Sequence, residues 1–340
     1  MLSTSVVQPV ENTDHIRPVR LRTDLAALAD LIEVCFADRM DAEGRAAVNE
    51  MRSLSQMGPL MSMVIGMGSA VLSNSKGFVW VEDGKIVGNV SLYPANNWPH
   101  DLGAAWIVAN VATHPDYRRR GIARKLMQAS MNLIQQSRVR YAVLQVDEDN
   151  IGAQRLYESL GFITEREWIT WRRNTLSNRP EHPPKWEDVH ITRRRRSEWR
   201  SEMRLAQQVR PIERGGLGWL QPLHPDFFRL PWNRVLTNLL NFRSTERLVI
   251  HHPETGEIAA SLWIHTAFAS RLRLQLMTLP EYQGLFDDAL IHTAIRRYGH
   301  RAMVIEHPAD EAATIDVLRS YSFRRSRSLI NMRWDVPRQT

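Results

Sequence analysis

Apolar and polar positions change period several times along the first half of the chain, and each change marks an element. Residues 15–21 alternate as a short strand, and Thr23 and Asp24 supply cap chemistry for a helix running to about Ala37. A second helix covers about 42–57, and the methionine- and glycine-rich stretch 58–75 follows without a clear period. Strands at 77–82 and 85–93 flank Asp83-Gly84, a hairpin turn because glycine tolerates positive φ. Residues 94–103 read as a loop, and 104–113 as an apolar strand ended by His114-Pro115. Beyond Gly121, Ile122, Leu126, Ala129 and Leu133 recur at helical spacing, with Arg124, Lys125, Gln128 and Asn132 on other faces. A buried strand at 141–146 leads to a helix capped at Asp149-Asn150, with Ala153, Leu156, Tyr157 and Leu160 on one face. Gly161 is its left-handed stop, and 162–171 closes this half as strand.

Residues 174–188 hold Pro180, Pro183 and Pro184 among polar neighbours and read as a linker. The order then repeats: helix at 196–208, strands at 248–250 and 258–264, strand at 272–276, helix at 285–297, strand at 302–306, helix at 311–321, strand at 323–334. Pro115-x-Tyr117 matches Pro280-x-Tyr282 at an offset of 165, and Ser159-x-x-Phe162 matches Ser320-x-x-Phe323 at 161. The expected organisation is a first domain over 15–173, the linker, and a related domain over 189–336.

With 340 residues, 43% of them hydrophobic, each half can bury a core. No run of 18 apolar residues argues for a membrane span, and the single cysteine, Cys35, points to a cytoplasmic setting and reads as buried filler. The net charge of +7 is concentrated in Arg118–Arg120 and Arg193–Arg196. No zinc-finger spacing or basic zipper accompanies it, so nucleic acid is not an expected partner. Arg193–Arg196 reads as a solvated run.

The chemistry concentrates at Arg118-x-x-Gly121-x-Ala123, where a strand turns through glycine into a helix. Free N–H groups at a helix start carry partial positive charge, and glycine lets a ligand approach the backbone. This segment resembles the Q/R-x-x-G-x-G/A signature of the GNAT acyltransferase superfamily. The second signature, Asn150-x-x-Ala153-x-x-Leu156-Tyr157-x-x-x-Gly161-Phe162, is also present. The resemblance covers about 15–173 well and the second half only as a pattern of elements. It implies an α/β chain of two tandem GNAT-like domains, each a mixed, mostly antiparallel sheet flanked by helices.

For the first domain the resemblance implies an acyl-CoA site. Backbone groups of Arg118, Arg119, Arg120, Gly121, Ile122 and Ala123 would hold the diphosphate, and Val111, Ala112 and Thr113 would pair with the pantetheine arm. Asn150 and Ala153 would border that arm, and Tyr157 would protonate the departing thiolate. The implied reaction moves acetyl from acetyl-CoA to a primary amine of a small molecule or peptide, with no metal and no covalent enzyme intermediate. Position 110 is an asparagine that can orient water but cannot take a proton; His114, Glu33, Asp38 and Asp101 are the other candidates for a base. The alternatives are a longer acyl donor and an acyl-CoA sensor without catalysis. Trp98, His100, Asp101 and Trp106 lie where an acceptor would approach.

The second half carries Pro280-Glu-Tyr-Gln-Gly284 in place of the arginine turn, with Glu281 where phosphates would sit. It has Glu311 in the place of Asn150 and Leu318 in the place of Tyr157. It is expected not to bind acyl-CoA, and to stabilise the first half, shape the acceptor cleft or mediate a homodimer.

Overall fold

The computed structural model describes residues 15–40, 42–56, 76–95, 98, 102–137, 139–177, 189–229, 244–266 and 271–337. The chain divides into two compact units. Unit 1 is Met1–Asn96, Gly103–Leu144 and Trp334–Thr340; unit 2 is Asn97–Leu102 and Gln145–Arg333. The expected methionine-rich stretch 58–75, the linker beyond 177, His100 and Asp101 lie outside the described residues.

Unit 1 contains β1 (Ile16–Pro18), α1 (Leu21–Phe36), α2 (Ala42–Gln56), β2 (Lys76–Glu82), β3 (Lys85–Pro94), β4 (Ala105–Thr113), α3 (Ile122–Gln136) and the start of β5 (Tyr141–Asp147). The strands lie in that order; β4 and β5 are parallel and the other neighbours antiparallel. The hairpin turn forms as expected, with φ of 49° at Asp83 and 74° at Gly84. Helix α1 starts earlier than its cap chemistry suggested. Arg20 is the N-cap residue, and Asp24 serves from inside the first turn, its Oδ2 accepting the Arg20 N–H at 2.7 Å and Arg17 Nη1 at 2.6 Å. The arginine contact holds the Asp24 carboxyl below its ordinary pKa despite burial, which opposes ionisation.

Helix α3 lies on the sheet over Gly88. A Cβ there would come within 2.8 Å of Ile122 Cγ2 and 2.9 Å of Leu126 Cδ1. The buried stripe is Ile122, Leu126, Met127, Ser130 and Ile134, so the contact runs one position away from the expected Ala129 and Leu133, which are half-buried. Both sets belong to one broad apolar face, and packing over Gly88 selects between them.

Unit 2 contains α4 (Ile151–Ser159), β6 (Ile163–Arg173), β7 (Ile191–Arg193), α5 (Trp199–Val209), the short α6 (Pro225–Phe228), β8 (Ser244–His251), β9 (Ile258–Thr266) and β10 (Leu272–Thr278). It continues with α7 (Leu285–Tyr298), β11 (Met303–Pro308), α8 (Ala312–Ser320) and most of β12 (Arg324–Asp335). Its sheet runs β12-β6-β11-β10-β9-β8-β7, antiparallel except at β10/β11. Strand β6 therefore comes from the first half of the sequence and sits between two strands of the second. Its Ile169 and Trp171 join a core built from β8 to β11, α7, α8 and Phe323. Packing thus places the division near Gln145, whereas composition suggested the proline-rich segment.

Buried charges in unit 2 are paired. Glu202 on α5 accepts from Arg194 at 2.9 Å, Arg247 at 2.8 Å, and Ser261 and the Trp263 indole at 2.7 Å each. Arg194 was expected in a solvated run; its side chain is in fact enclosed by this contact. Glu311 pairs with Arg210, with Arg166 at 2.8 Å and with His307 at 2.9 Å.

Replacing Gly88 with valine drives a branched side chain into Ile122 and Leu126, and we expect a loss of about 2 kcal/mol of stability. Urea unfolding measures it; an unchanged midpoint would show that α3 does not rest on this strand.

Candidate active site

The turn into α3 is built from a short sequence of backbone reversals. Pro115–Tyr117 forms one 3-10 turn, started by His114, whose Nδ1 accepts the Asp116 N–H at 3.4 Å. That ring also packs edge-on against Tyr117, so His114 is engaged in its own turn. Arg119 then adopts φ of 62° and Gly121 φ of 76°. Left-handed residues in a turn can bring N–H groups toward one side, as in an anion-binding nest. A Cβ on Gly121 would meet nothing within 4 Å. The glycine is thus required by its backbone angle, and the space before it is open. The three arginines are exposed. Arg118 Nε donates to the Thr113 carbonyl at 3.4 Å; Arg120 reaches Glu82 at 3.4 Å and lies over the Tyr117 ring at 4.9 Å.

Strand β4 supplies the second feature. Its register against β3 shifts between Asn89↔Ala112 and Ser91↔Ala109, which places one extra residue in β4. Asn110 occupies the bulge with φ of 50°, a region asparagine enters more readily than most residues. The Asn89 side-chain nitrogen donates to the Asn110 carbonyl at 3.0 Å and to Ser91 Oγ at 3.1 Å. Asn110 Nδ2 lies 3.4 Å from Ser91 Oγ and 3.5 Å from Tyr93 Oη. On its other edge β4 pairs with β5 only over Ala105–Ile107, so Val111, Ala112 and Thr113 lie beyond that pairing. Buried Thr113 Oγ1 has no hydrogen-bond partner among the described residues.

Unit 2 holds the second motif. Asn150 caps α4, its Oδ1 accepting the Ala153 N–H at 3.2 Å. Gly161 has φ of 91° and ends the helix as expected. Tyr157 is the one buried residue of α4; it packs against Phe162, and burial raises its pKa. The predicted site residues therefore group as Asn110 to Ala123 in unit 1 and Asn150, Ala153 and Tyr157 in unit 2. Among the other base candidates, Glu33 is paired with Arg52 at 2.5 Å and Asp38 is exposed. Trp106 is buried, with Lys76 Nζ 5.3 Å from its ring centre.

The second copy shows what happens to such a turn when an acid is built in. Gly284 starts α7 with φ of 87°. Its N–H is taken by Asp287 Oδ2 at 2.9 Å, and the same buried carboxylate accepts from Thr314 at 2.6 Å and from Thr278. By the repeat offsets Thr278 corresponds to Thr113 and Thr314 to Ala153; as residues that start matching helices Gly284 corresponds to Gly121, and Asp287, three residues on, corresponds to exposed Arg124. Glu281 had been expected to oppose phosphate here; it is exposed, and Asp287 occupies the helix start. A clue was available in sequence, since an acid three residues after a helix-starting glycine is positioned to cap it. The β9–β10 register is continuous from Thr278↔Ala260 to Arg273↔His265, so the bulge is missing as well.

Comparison with known proteins agrees with this geometry. The solved structure of a GCN5-related N-acetyltransferase from Sphaerobacter thermophilus superposes with a TM-score of 0.56 over 96% of this chain and 98% of that chain, at 15% identity. The glucosamine N-acetyltransferase region of a fungal multi-domain GH3 β-N-acetylglucosaminidase gives 0.54 over 93% of this chain and 38% of that one, at 13% identity. A tandem GNAT protein from the clavulanic acid biosynthesis pathway is 13% identical, with a TM-score of 0.47 over 96% and 99%. The fold is α/β, and its likeness to the Sphaerobacter thermophilus structure extends over nearly the whole chain. Residues 61–162 match the Acetyltransferase (GNAT) family, and that match and the fold support an acyl-transfer function. No curated protein sequence matches the chain. Among the described residues no helix is long and apolar enough to cross a membrane.

Replacing Asp287 with alanine strands the Gly284 N–H and the Thr278 and Thr314 hydroxyls in a buried setting. We expect a cost of about 2–3 kcal/mol in chemical denaturation. A variant as stable as the parent would show that this carboxylate does not satisfy the helix start.

Proposed function

We propose that the chain is an N-acetyltransferase that moves acetyl from acetyl-CoA to a primary amine by direct attack, without a covalent enzyme intermediate. One observation carries the reading. The turn at Arg118–Gly121 has left-handed Arg119 and Gly121 ahead of a fifteen-residue helix, with open space at the glycine, while the related turn at Gly284 is closed by its own carboxylate. An internal anion in one copy supports an external one in the other. The fit extends to Thr113, whose unpartnered buried hydroxyl matches Thr278, a donor to that carboxylate.

In this reading the amides from Arg118 to Ala123 hold the diphosphate, and the arginines add charge at its rim. Val111, Ala112 and Thr113 present backbone groups to the pantetheine arm, Asn150 and Ala153 border it, and an N–H at the bulge stabilises the oxyanion. Acetyl-CoA supplies an activated thioester. The neutral amine nitrogen bonds to the acyl carbon, the carbon–sulfur bond breaks, Tyr157 gives its proton to the sulfur, and the proton shed by the nitrogen passes through water to restore the phenol. A tyrosine phenol carries its proton at neutral pH, and burial raises its pKa further. Asn110 orients water beside the amine.

Gly121→Val places a branched residue at φ of 76° and projects it into the nest. Calorimetry with CoA should detect no binding, while circular dichroism reports an intact fold; wild-type affinity would end the proposal. Tyr157→Phe should lower kcat about 100-fold with little change in CoA affinity. Wild-type turnover in a thiol-release assay would remove the tyrosine from the mechanism. CoA binding without turnover on any amine would favour a sensor.

A further inference from the structure

The polar patch on the bulged strand pair contains an atom that the reading above leaves unused. The Asn110 carbonyl can only accept a hydrogen bond, so the nitrogen of Asn89 must face it, and that nitrogen's second hydrogen goes to Ser91. This fixes Asn89 Oδ1 on the opposite side. The residue is fully buried, and Oδ1 has no hydrogen-bond partner among the described residues. A buried acceptor left unmade costs about 1–3 kcal/mol, so such an atom calls for a donor that the described residues do not supply.

The second copy shows how the same position is filled when it is closed. Gly88 pairs with Thr113 and Ala260 with Thr278, so Asn89 corresponds to Ser261 and Ser91 to Trp263. There the Ser261 hydroxyl and the Trp263 indole both donate to Glu202 of α5, the helix that follows the first strand of that copy. In unit 1 the acid at the matching place on α1 is Asp24, and it is spent on Arg17 and the Arg20 N–H. One copy closes the patch with a carboxylate and an indole; the other leaves an inward-facing amide oxygen beside Ser91, Tyr93 and Asn110.

We propose that Asn89 is an acceptor-binding residue. Its Oδ1 receives an N–H or O–H of the acceptor molecule, and Ser91, Tyr93 and Asn110 complete the subsite. The assignment rests on the transferase reading, because the acceptor must approach the thioester beside the bulge. It gives the substrate class as an amine presenting a hydrogen-bond donor to a neutral amide oxygen.

The test compares Asn89→Ser with the wild type in the full chain, across amines that differ in a second donor. Serine is the residue the second copy carries at this place, and it removes the amide oxygen and the amide nitrogen together. Ethanolamine, glycinamide and propylamine are assayed by thiol release from acetyl-CoA. Loss of the nitrogen disturbs the bulge for every amine alike, so the ratio of KM values between amines is the readout. Ethanolamine and glycinamide carry a second donor and propylamine does not; their KM advantage over propylamine should shrink about tenfold in Asn89→Ser, the weight of one hydrogen bond. A wild type without that advantage, or an Asn89→Ser variant in which the ratio is unchanged, overturns the subsite. If the wild type releases no thiol with any amine, the transferase reading fails separately. Calorimetric binding of the same amines to the CoA complex then decides the subsite by the same ratio: a smaller advantage over propylamine in Asn89→Ser supports it, and an unchanged advantage or none in the wild type overturns it.

Discussion

The hydrogen bond from the Asn89 side chain to the Asn110 carbonyl holds the feature on which the rest of the candidate site depends. A strand that admits one extra residue loses ladder bonds and must place that residue at an uncommon backbone angle. Asn110 at φ of 50° meets the second demand, at about 1 kcal/mol for a left-handed residue, and Asn89 meets the first by satisfying the carbonyl turned out of the ladder. The shift re-aims Val111, Ala112 and Thr113, beyond the last residue at which β4 pairs with β5. Without it β4 would pair as β10 does, in continuous register from Thr278 to Arg273.

The two copies solve one electrostatic problem in opposite ways. A helix start concentrates unsatisfied N–H groups, and a buried one needs an anion or an equivalent acceptor. At α7 the chain provides Asp287, and the Gly284 amide and two threonine hydroxyls are satisfied within the fold. At α3 the matching residue is exposed Arg124, and a Cβ on Gly121 would meet nothing within 4 Å. The face of the strands follows the same logic, with Glu202 consuming the donors of Ser261 and Trp263. Each substitution fills the position with a buried carboxylate bonded within the fold.

Much of the fold was legible because periodicity survives without tertiary context. The hairpin at Asp83-Gly84, the stop at Gly161 and the order of elements in both halves stand as read. The turn at Gly121 was legible because a glycine at a helix start marks a left-handed backbone angle, and its φ is 76°. The bulge was not. Residues 104–113 read as one unbroken apolar strand, and an insertion shows only against the partner strand. The roles of Asp24 and Asp287 were hidden for a similar reason. An acid in a first helical turn is ordinary by composition, and its partners, Arg17 in one case and Thr278 and Thr314 in the other, are brought to it only by folding. Strand β6 illustrates the limit in topology: its own sequence says strand, but its place between β11 and β12 depends on residues more than a hundred positions away.

That placement bears on why a copy without an open nest keeps its fold. Strand β6 follows directly from α4, which carries Asn150 and Tyr157, and its buried Ile169 and Trp171 are packed by the second half. Arg166 on the same strand reaches Glu311 at 2.8 Å and the Val209 carbonyl at 3.2 Å. Burying that guanidinium is costly unless Glu311 and Arg210 are held in position. The residues of the second motif are therefore anchored through a strand whose neighbours all come from the second half. The second half thus keeps a packing role that does not depend on an open turn of its own, because its core holds the strand that follows Asn150 and Tyr157.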